Sequence, residues 1–244
     1  MKLAYLNLVG LLLVITVNAL ANGLPINGLT TGEISAMYPN LFVPAGITFS
    51  IWGLIYLSLV GFCIYPFVAK DFDVLERIGV LFFVTCLLNV SWIIAWHHLY
   101  VFLSLALMLC FLFCLILIYV RCRKSPPQRK REKWLVYKPF SIYLAWICVA
   151  TIANTTAYLV SLDFTPPSPM YWAVAMILAT QLLVWIVNIK YHDIAYSLVI
   201  IWALLGIVVK QSDTGFDAIV YTCVASIFFT TLNAFYYRYR SAIS

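Results

Sequence analysis

The sequence predicts an all-α integral membrane protein with about eight transmembrane spans. Of its 244 residues, 64% are hydrophobic and only 10% are charged, and the mean hydropathy is +0.99. Soluble domains carry about 25% charged residues, so this composition excludes a soluble class. Apolar runs of about 20 residues, each able to cross roughly 30 Å of hydrocarbon as a helix, recur along the whole chain and exclude the alternating strands of a β-barrel.

Hydropathy places the spans at residues 3–22, 45–68, 77–97, 99–120, 135–160, 170–189, 194–210 and 216–237. The second span begins at Pro44-Ala-Gly46, a helix-start signal after a long polar loop. Only residues 97–100 separate the third and fourth spans, which predicts a tight helical hairpin. The first span has a second interpretation, because Lys2, an apolar run and Ala19-Leu-Ala21 also fit a signal peptide with a small-residue cleavage site.

The distribution of basic residues predicts the topology. If both termini are cytoplasmic and the chain crosses eight times, every Lys and Arg except Lys210 lies on the cytoplasmic side. This asymmetry is what the positive-inside rule requires. The densest basic run, from Arg121 to Lys133, lies between two spans, so we interpret it as a topological anchor on anionic lipid and not as a nucleic-acid site. Ser125-Pro-Pro breaks helix within this run.

Cysteine and histidine give little indication of a metal site. Six of the seven cysteines lie in apolar spans, where a free thiol behaves as a small hydrophobe, and Cys122 lies on the reducing side, so no disulfide framework is predicted. Cys110 and Cys114 lack a nearby His or carboxylate at metal-ligand spacing. His97 and His98 fit either interfacial capping, which we favour, or binding of a metal or haem iron.

A stripe of aromatic, small and polar residues marks the fifth span. Tyr143, Trp146, Ala150 and Asn154 fall at i, i+3, i+7 and i+11, on one face of a helix. An amide inside a bilayer is costly unless it meets a partner, so Asn154 is expected to face protein or ligand. The stripe fits either a pocket lining or an ordinary helix-packing seam.

Two further spans carry the same chemistry. Trp52 and Tyr56 are four residues apart in the second span, and Asn89, Trp92 and Trp96 fall at i, i+3 and i+7 in the third. Membrane tryptophans normally gather at the interfaces, so a tryptophan at mid-span usually finds an internal partner or faces a cavity. The three spans are therefore predicted to turn aromatic side chains toward a shared interior.

Other function classes lack their usual residues. No acidic or basic residue lies at mid-depth in any predicted span, which argues against an ion-coupled transporter. The sequence offers no Ser/His/Asp set, paired carboxylates or glycine-rich phosphate loop for hydrolysis or phosphoryl transfer.

Three sequence elements in register carry a family resemblance. They are Tyr143-Leu-Ala-Trp146 with Ala150, Thr151 and Asn154; Leu88-Asn89 with Trp92; and Pro44 with Trp52-Gly53 and Tyr56. In order and spacing they resemble the fifth-helix, third-helix and second-helix motifs of the TspO/MBR family, the tryptophan-rich sensory proteins that include the mitochondrial translocator protein. The resemblance covers about 160 residues.

The resemblance implies a five-helix bundle over residues 1–160, enclosing an apolar pocket capped by the loop after the first helix. Family members bind porphyrins such as protoporphyrin IX, sterols in some cases, and synthetic isoquinoline or benzodiazepine-type ligands. Some bacterial members degrade porphyrin in light and oxygen, and Trp52 and Trp146 match the tryptophans linked to that reaction. The expected ligand-binding residues are Trp52, Tyr56, Asn89, Trp92, Tyr143, Trp146, Ala150 and Asn154.

The chain also departs from the family pattern. Val43, Gly46 and Val90 stand where the family has a proline and two tryptophans, so the pocket has fewer aromatic residues. Residues 161–244 are predicted to form an additional three-helix membrane segment that the five-helix family lacks. The resemblance supplies no role for this segment.

The sequence therefore predicts a multi-pass protein of the bacterial inner membrane that binds a flat hydrophobic ligand for sensing, sequestration or transfer. A porphyrin such as protoporphyrin IX, or haem, is the leading ligand, a sterol-like molecule is another, and no cofactor is required. The alternatives are Trp-dependent photo-oxidative degradation of porphyrin and transport of a small apolar metabolite. Expected partners are the bilayer and the ligand, without nucleic acid, and a homodimer remains an open alternative.

Overall fold

The computed structural model describes residues 1–24, 26–70, 72–124, 127 and 129–243, and for residues 237–243 the backbone alone. These described residues form helices and no strands, which confirms the all-α class. The helices are α1 (Lys2–Gly23), α2 (Thr31–Ala36), α3 (Ile51–Ala69), α4 (Asp73–Ile78), α5 (Leu81–His97), α6 (Val101–Lys124), α7 (Lys130–Glu132), α8 (Lys138–Ser161), α9 (Pro169–Tyr191), α10 (Ile194–Gln211) and α11 (Asp217–Ile243). A 3₁₀ turn, Gly46–Ser50, leads into α3, and a π-helical turn, Lys133–Tyr137, leads into α8.

The membrane spans agree with the hydropathy pattern. Seven helical stretches of the described chain are long and apolar enough to cross a bilayer, and α5 is a shorter apolar helix of 17 residues. Together they match the eight predicted spans one for one. At 1.5 Å per residue α5 is about 26 Å long, slightly less than the hydrocarbon core. The predicted hairpin is confirmed, because α5 ends at His97 and α6 begins at Val101.

The third span begins later than predicted. The sequence pattern places its start at residue 77, whereas the structure has the short helix α4 ending at Ile78 and α5 beginning at Leu81. Gly79 lies between them with φ +64°, a conformation that glycine adopts without strain and that ends a helix. Apolar residues run through this break, so hydropathy alone does not detect it.

The polar loop after α1 contains regular structure. Thr30 caps α2 by accepting from the Glu33 backbone N–H, and the Glu33 carboxylate accepts from the Thr30 backbone N–H at 2.7 Å and from its hydroxyl at 2.8 Å. This reciprocal arrangement is a capping box, which allows a helix of only six residues to form. The pKa of the Glu33 carboxyl lies below its ordinary value because both Thr30 groups donate to the carboxylate.

The chain divides into two compact units. The first contains Met1–Tyr38 and Ile51–Ile147, and the second contains Pro39–Ser50 and Cys148–Ser244. These are groups of mutually packed residues and not family domains, so the predicted division into residues 1–160 and 161–244 stays a prediction.

In the first unit α5 packs against α6 and α1, and α1 packs against α3. Phe62, Phe82 and Phe140 form its aromatic core, with ring centroids 4.9–5.9 Å apart and every ring fully buried. A Cβ on Gly10 would lie 2.8 Å from the Phe83 ring, so glycine is what lets α1 approach α5 this closely. Helix packing here relies on close contact, as expected in a bilayer.

One ion pair closes the predicted cytoplasmic end of this unit. Arg77 donates to the carboxylate of Glu132 and, at 3.1 Å, to the hydroxyl of Tyr137. Glu132 is 1% exposed while the Arg77 side chain is 26% exposed. The pair therefore holds a buried carboxylate against a cation that still reaches water.

In the second unit α11 packs against α10 and α9. Two polar contacts, one buried and one partly buried, join these helices. The Asn188 Nδ2 donates to the Ser197 hydroxyl at 2.8 Å, and the Thr230 hydroxyl donates to the Gln181 Oε1 at 2.9 Å. The three last helices thus form a bundle with side-chain hydrogen bonds between neighbours, in the manner of polytopic membrane proteins.

Candidate functional site

The predicted aromatic side chains of the first unit do converge. The ring of Trp52 lies at the centre, with centroid distances of 5.5 Å to Tyr56, 6.4 Å to Trp92, 6.2 Å to Tyr143 and 6.3 Å to Trp146. Tyr56 and Trp92 are stacked on Trp52, whereas Tyr143 and Trp146 meet it edge-on. We call these five side chains the aromatic cluster.

Helical spacing explains why three helices supply this cluster. On α3, Trp52 and Tyr56 are one turn apart and share a face. On α5, Trp92 lies one turn after Asn89, which is fully buried. On α8, Tyr143 and Trp146 are also one turn apart, and both are 2% exposed. Trp52 and Tyr56 on α3 are half-buried, so α5 and α8 supply the more deeply buried part of this aromatic interior.

A line of hydrogen bonds crosses the unit beside the cluster. The Asn18 Nδ2 on α1 donates to the Asn89 Oδ1 at 2.8 Å and to the Val14 carbonyl at 2.9 Å. The Asn89 Nδ2 in turn donates to the Tyr143 hydroxyl at 3.3 Å. The Asn89 amide is thus fixed from both sides, and its position beside the cluster is determined by α1 and α8 together.

Two donors of the cluster have no acceptor. The Tyr56 O–H and the Trp92 Nε1–H are buried and meet no acceptor in hydrogen-bond geometry, and the Asn89 amide lies beside the Tyr56 oxygen. Trp92 as a whole is 6% exposed. A buried donor left without a partner costs about 1–3 kcal/mol, so two such donors in one cluster need an explanation. A ligand that supplies the acceptors would be one.

The cluster is electrically neutral. Its five aromatic side chains, together with Asn18 and Asn89, include no group that is charged at neutral pH. A carboxylate placed among them would lose its hydration without gaining a cation. The arrangement therefore favours a flat, neutral surface that offers hydrogen-bond acceptors, and it disfavours a buried anion.

The loop after α1 is held onto the end of α5 by His97. Its Nδ1 lies 3.1 Å from the Ile26 carbonyl, and its Nε2 lies 3.0 Å from the Thr31 hydroxyl. Because a carbonyl only accepts, Nδ1 carries the proton and Nε2 accepts from Thr31. Asn27 Nδ2 also donates to the His97 carbonyl at 3.1 Å. Both ring nitrogens thus have a polar partner, and the interfacial role that the sequence favoured stays a prediction.

Aromatic contacts continue from this loop into the cluster. Tyr38 lies 5.8 Å from Trp96, and Trp96 stacks on Trp92 at 6.3 Å with an interplanar angle of 17°. The Trp96 Nε1 donates to the Thr31 carbonyl at 3.3 Å. Residues 31–38 are thereby connected to the cluster through a row of rings.

Two predicted site residues fall outside this unit. Ala150 and Asn154 follow Trp146 on the same helix, α8, but belong to the second unit. Asn154 is 4% exposed and engaged in an interaction, and Ala150 is half-buried. Their predicted role as ligand-binding residues stays a prediction.

The sequence interpretation missed Asn18 as a site residue. Asn18 is a single amide in an apolar run, and its partner Asn89 is 71 residues away. The signal that could have identified it is helical spacing, since Asn18 follows the buried Asn7, Leu11 and Val14 on one face of α1.

Outside the cluster the described chain carries apolar grooves, and an open one along residues 100–103 has a volume of about 380 Å³. A groove between α10 and α11 has a volume of about 130 Å³ and is lined mainly by aliphatic and aromatic side chains such as Ile194, Leu198 and Phe235. This is below the roughly 300–1,000 Å³ of typical ligand pockets. Among the residues the structure describes, no group of three His, Cys, Asp or Glu side chains is placed to hold a metal ion.

Comparison with known proteins gives one match. The family model described as TSPO-like protein matches residues 4–236, so the match includes α9, α10 and most of α11 as well as the earlier helices. No curated protein and no solved structure matches the chain.

Proposed function

Because the chain belongs to the TSPO-like protein family, an assignment that indicates membrane ligand binding or transport in general, we propose that its aromatic cluster binds a flat, largely apolar ligand. A porphyrin or related tetrapyrrole is the leading candidate, and the binding serves sensing, sequestration or transfer, in a bacterial inner membrane. The observation that carries the proposal is the pair of buried, unpaired donors, Tyr56 O–H and Trp92 Nε1–H, inside a cluster of stacked rings.

Stacking and hydrogen bonding supply complementary parts of the affinity. Indole and phenol rings stack on any flat conjugated surface, which gives affinity without selecting one compound. A ligand carbonyl or ring acceptor that reaches Tyr56 and Trp92 would satisfy both donors, and it would remove a cost that the ligand-free protein already bears. The donors therefore select for acceptor-bearing ligands over pure hydrocarbons.

The ligand has to enter between rings that already touch. Centroid distances of 5.5–6.4 Å around Trp52 are those of rings in contact, so binding requires at least one ring to rotate away. The row from Trp96 to Tyr38 leads from the cluster to the loop, and it is the route along which we expect the opening.

Because the cluster carries no charge, the proposal predicts which chemical forms of a porphyrin should bind most tightly. For a porphyrin we expect the macrocycle to lie against the rings while its propionates remain at the aqueous surface. Protoporphyrin IX dimethyl ester, which has no carboxylate, is therefore expected to bind at least as tightly as the diacid. A sterol-like ligand, with fewer acceptors and no conjugated face, is expected to bind less tightly than either.

A titration of detergent-purified protein with protoporphyrin IX tests the proposal. Tryptophan quenching and porphyrin fluorescence are followed in the dark for the wild type, Trp146→Phe, Asn89→Ala and Trp92→Phe, with Trp185→Phe as the control, because Trp185 on α9 is exposed. We expect saturable binding that the three cluster variants weaken and the control leaves unchanged. Absence of saturable binding, or equal binding by all variants, would contradict the proposal and favour a structural or transport role.

A second candidate function is light-dependent oxidation of bound porphyrin by dioxygen. The observation that favours it is the 6.3 Å edge-on contact between Trp52 and Trp146, which would bring both indoles to one ligand. The same titration under illumination decides it. Loss of the porphyrin absorbance in air that Trp52→Phe and Trp146→Phe abolish would support this activity, and a spectrum that remains constant would exclude it.

A further inference from the structure

A segment of the loop after α1 is hydrogen-bonded to α10. We call residues 41–48 the strap. Three hydrogen bonds of 2.9 Å join it to α10: Ala45 N–H to the Gly206 carbonyl, Gln211 Nε2 to the Leu41 carbonyl, and Trp202 Nε1 to the Thr48 carbonyl. They extend from the middle of α10 to its C-terminal end, so the strap lies along the helix and is not held at a single point.

Gly206 allows the closest part of this contact. A Cβ built on Gly206 would lie 2.0 Å from the Thr48 Oγ1 and 2.9 Å from the Pro44 Cβ, and both are closer than real contacts allow. Glycine is therefore required here because the Pro44 and Thr48 side chains occupy the space that a Cβ would need. Any side chain at this position displaces the strap.

Half of the strap is buried as well as hydrogen-bonded. Phe42, Val43 and Pro44 are buried, and Thr48 is 1% exposed. Irregular backbone beside a membrane has few partners within itself, so the α10 side chains that meet the Leu41 and Thr48 carbonyls satisfy groups that would otherwise be costly to bury. Gln211, itself 2% exposed, is further oriented by the Thr214 hydroxyl, which donates to its Oε1 at 2.9 Å.

The strap continues without interruption into the helix that carries the centre of the aromatic cluster. Residues Gly46–Ala69 form one helical span, and Thr48 precedes Trp52 by about one turn. We propose that α10 is a positioning helix for the candidate ligand site, with Gly206, Gln211 and Trp202 fixing the strap and, through the covalent chain, the start of α3 at Trp52. This inference rests on the proposed function for its effect on binding, but its effect on α3 is measurable without any ligand.

The test uses the full-length protein in detergent and has two measurements. Hydrogen exchange by mass spectrometry follows the amides of residues 41–48 and, separately, 49–58 without ligand, and a titration with protoporphyrin IX gives Kd. The variants are Gly206→Ala and the milder Gln211→Met, which removes the donor to Leu41 and the acceptor of Thr214. Gly23→Ala is the matched glycine control, since a Cβ there meets nothing within 4 Å. Thr230→Val controls for general loss of stability, because it breaks the bond to Gln181 in the same unit.

We expect both α10 variants to speed exchange in residues 41–48 and in 49–58, and to raise Kd at least about fivefold, the effect of about one interhelical hydrogen bond. Gly23→Ala and Thr230→Val should leave both quantities unchanged. Unchanged exchange in residues 49–58, or equal effects of Thr230→Val, would overturn the positioning role. If the wild type binds no porphyrin while exchange in 49–58 still rises in the α10 variants, the proposed function fails but the positioning of Trp52 by α10 stands.

Discussion

Asn18 on α1 donates a hydrogen bond of 2.8 Å to Asn89 on α5, across 71 residues of sequence. Both residues lie in helices of the first unit, and the Asn89 Nδ2 donates to the Tyr143 hydroxyl on α8. Three helices are thus joined by one line of polar groups in an otherwise apolar interior. This line, and not hydrophobic packing alone, determines how α1, α5 and α8 are registered beside the aromatic cluster.

The Asn18→Leu substitution should destabilise the protein by about 0.6 kcal/mol, the average for hydrogen bonds between membrane helices, and by at most about 1.7 kcal/mol. It leaves the Asn89 Oδ1 buried without its donor. The measurement is unfolding by SDS in mixed micelles, followed by helical circular dichroism. Asn22→Leu is the control because Asn22 donates only to the Asn18 carbonyl of its own helix. Equal effects of both substitutions would contradict the proposed role of the interhelical bond.

Two tyrosines of the cluster should respond oppositely to loss of the hydroxyl. Tyr56→Phe removes a buried donor that has no acceptor, so the free energy of unfolding should stay unchanged or rise by about 1 kcal/mol. Tyr143→Phe removes the hydroxyl that accepts from Asn89 and should lower the free energy of unfolding by about 1 kcal/mol. The same SDS titration compares the two. A loss of stability for Tyr56→Phe would show that its hydroxyl is satisfied in the ligand-free protein.

The membrane architecture was predictable because hydrophobicity reports it directly. A span needs about 20 apolar residues whatever its partners are, so all eight appear in the hydropathy pattern within a few residues. The aromatic cluster was predictable for a related reason, since Trp52, Tyr56, Asn89 and Trp92 repeat at helical spacing. What failed was the start of the third span, because a single glycine, Gly79, interrupts an apolar run without changing its hydropathy.

The contacts of the strap could not be predicted from the sequence. They join side chains of α10 to backbone carbonyls more than 150 residues earlier. Every residue has a backbone carbonyl, so the residue type does not indicate which carbonyl accepts a hydrogen bond. Gly206 and Gln211 are individually unremarkable in an apolar helix. Only the structure shows that the glycine has no space for a Cβ and that the glutamine meets Leu41.

His97 should hold the loop, whereas its neighbour His98 should not. His97→Ala removes the partners of the Ile26 carbonyl and the Thr31 hydroxyl, so the amides of residues 26–36 should exchange at least about fivefold faster, as expected for loss of about one net hydrogen bond. His98 is exposed, and His98→Ala should leave the exchange of this segment unchanged. Hydrogen exchange by mass spectrometry measures both. Equal exchange in the two variants would mean that the loop is held by other contacts.

The helix α2 should lose protection in acid. Thr30 stabilises the ionised form of Glu33 and lowers the pKa of the carboxyl. This contribution is fully present above the ordinary glutamate pKa and is lost as the pH falls through the lowered one. Exchange of residues 31–38, corrected for the intrinsic rate at each pH, should therefore accelerate in acid. Glu33→Gln should show no such dependence on pH, and a wild-type profile that is equally flat would contradict the prediction.

The ion pair of Arg77 and Glu132 should be asymmetric in its contribution to stability. Arg77→Met leaves a carboxylate that is 1% exposed without its cation and should cost about 3 kcal/mol, within the range for breaking a buried pair. Glu132→Gln should cost less, about 1 kcal/mol, because Arg77 is 26% exposed and still donates to Tyr137. The double variant should lose less free energy of unfolding than the two single variants lose in sum, since neither charge is left without its partner. SDS unfolding of the three variants measures this coupling, and strictly additive losses would show that the two side chains contribute independently.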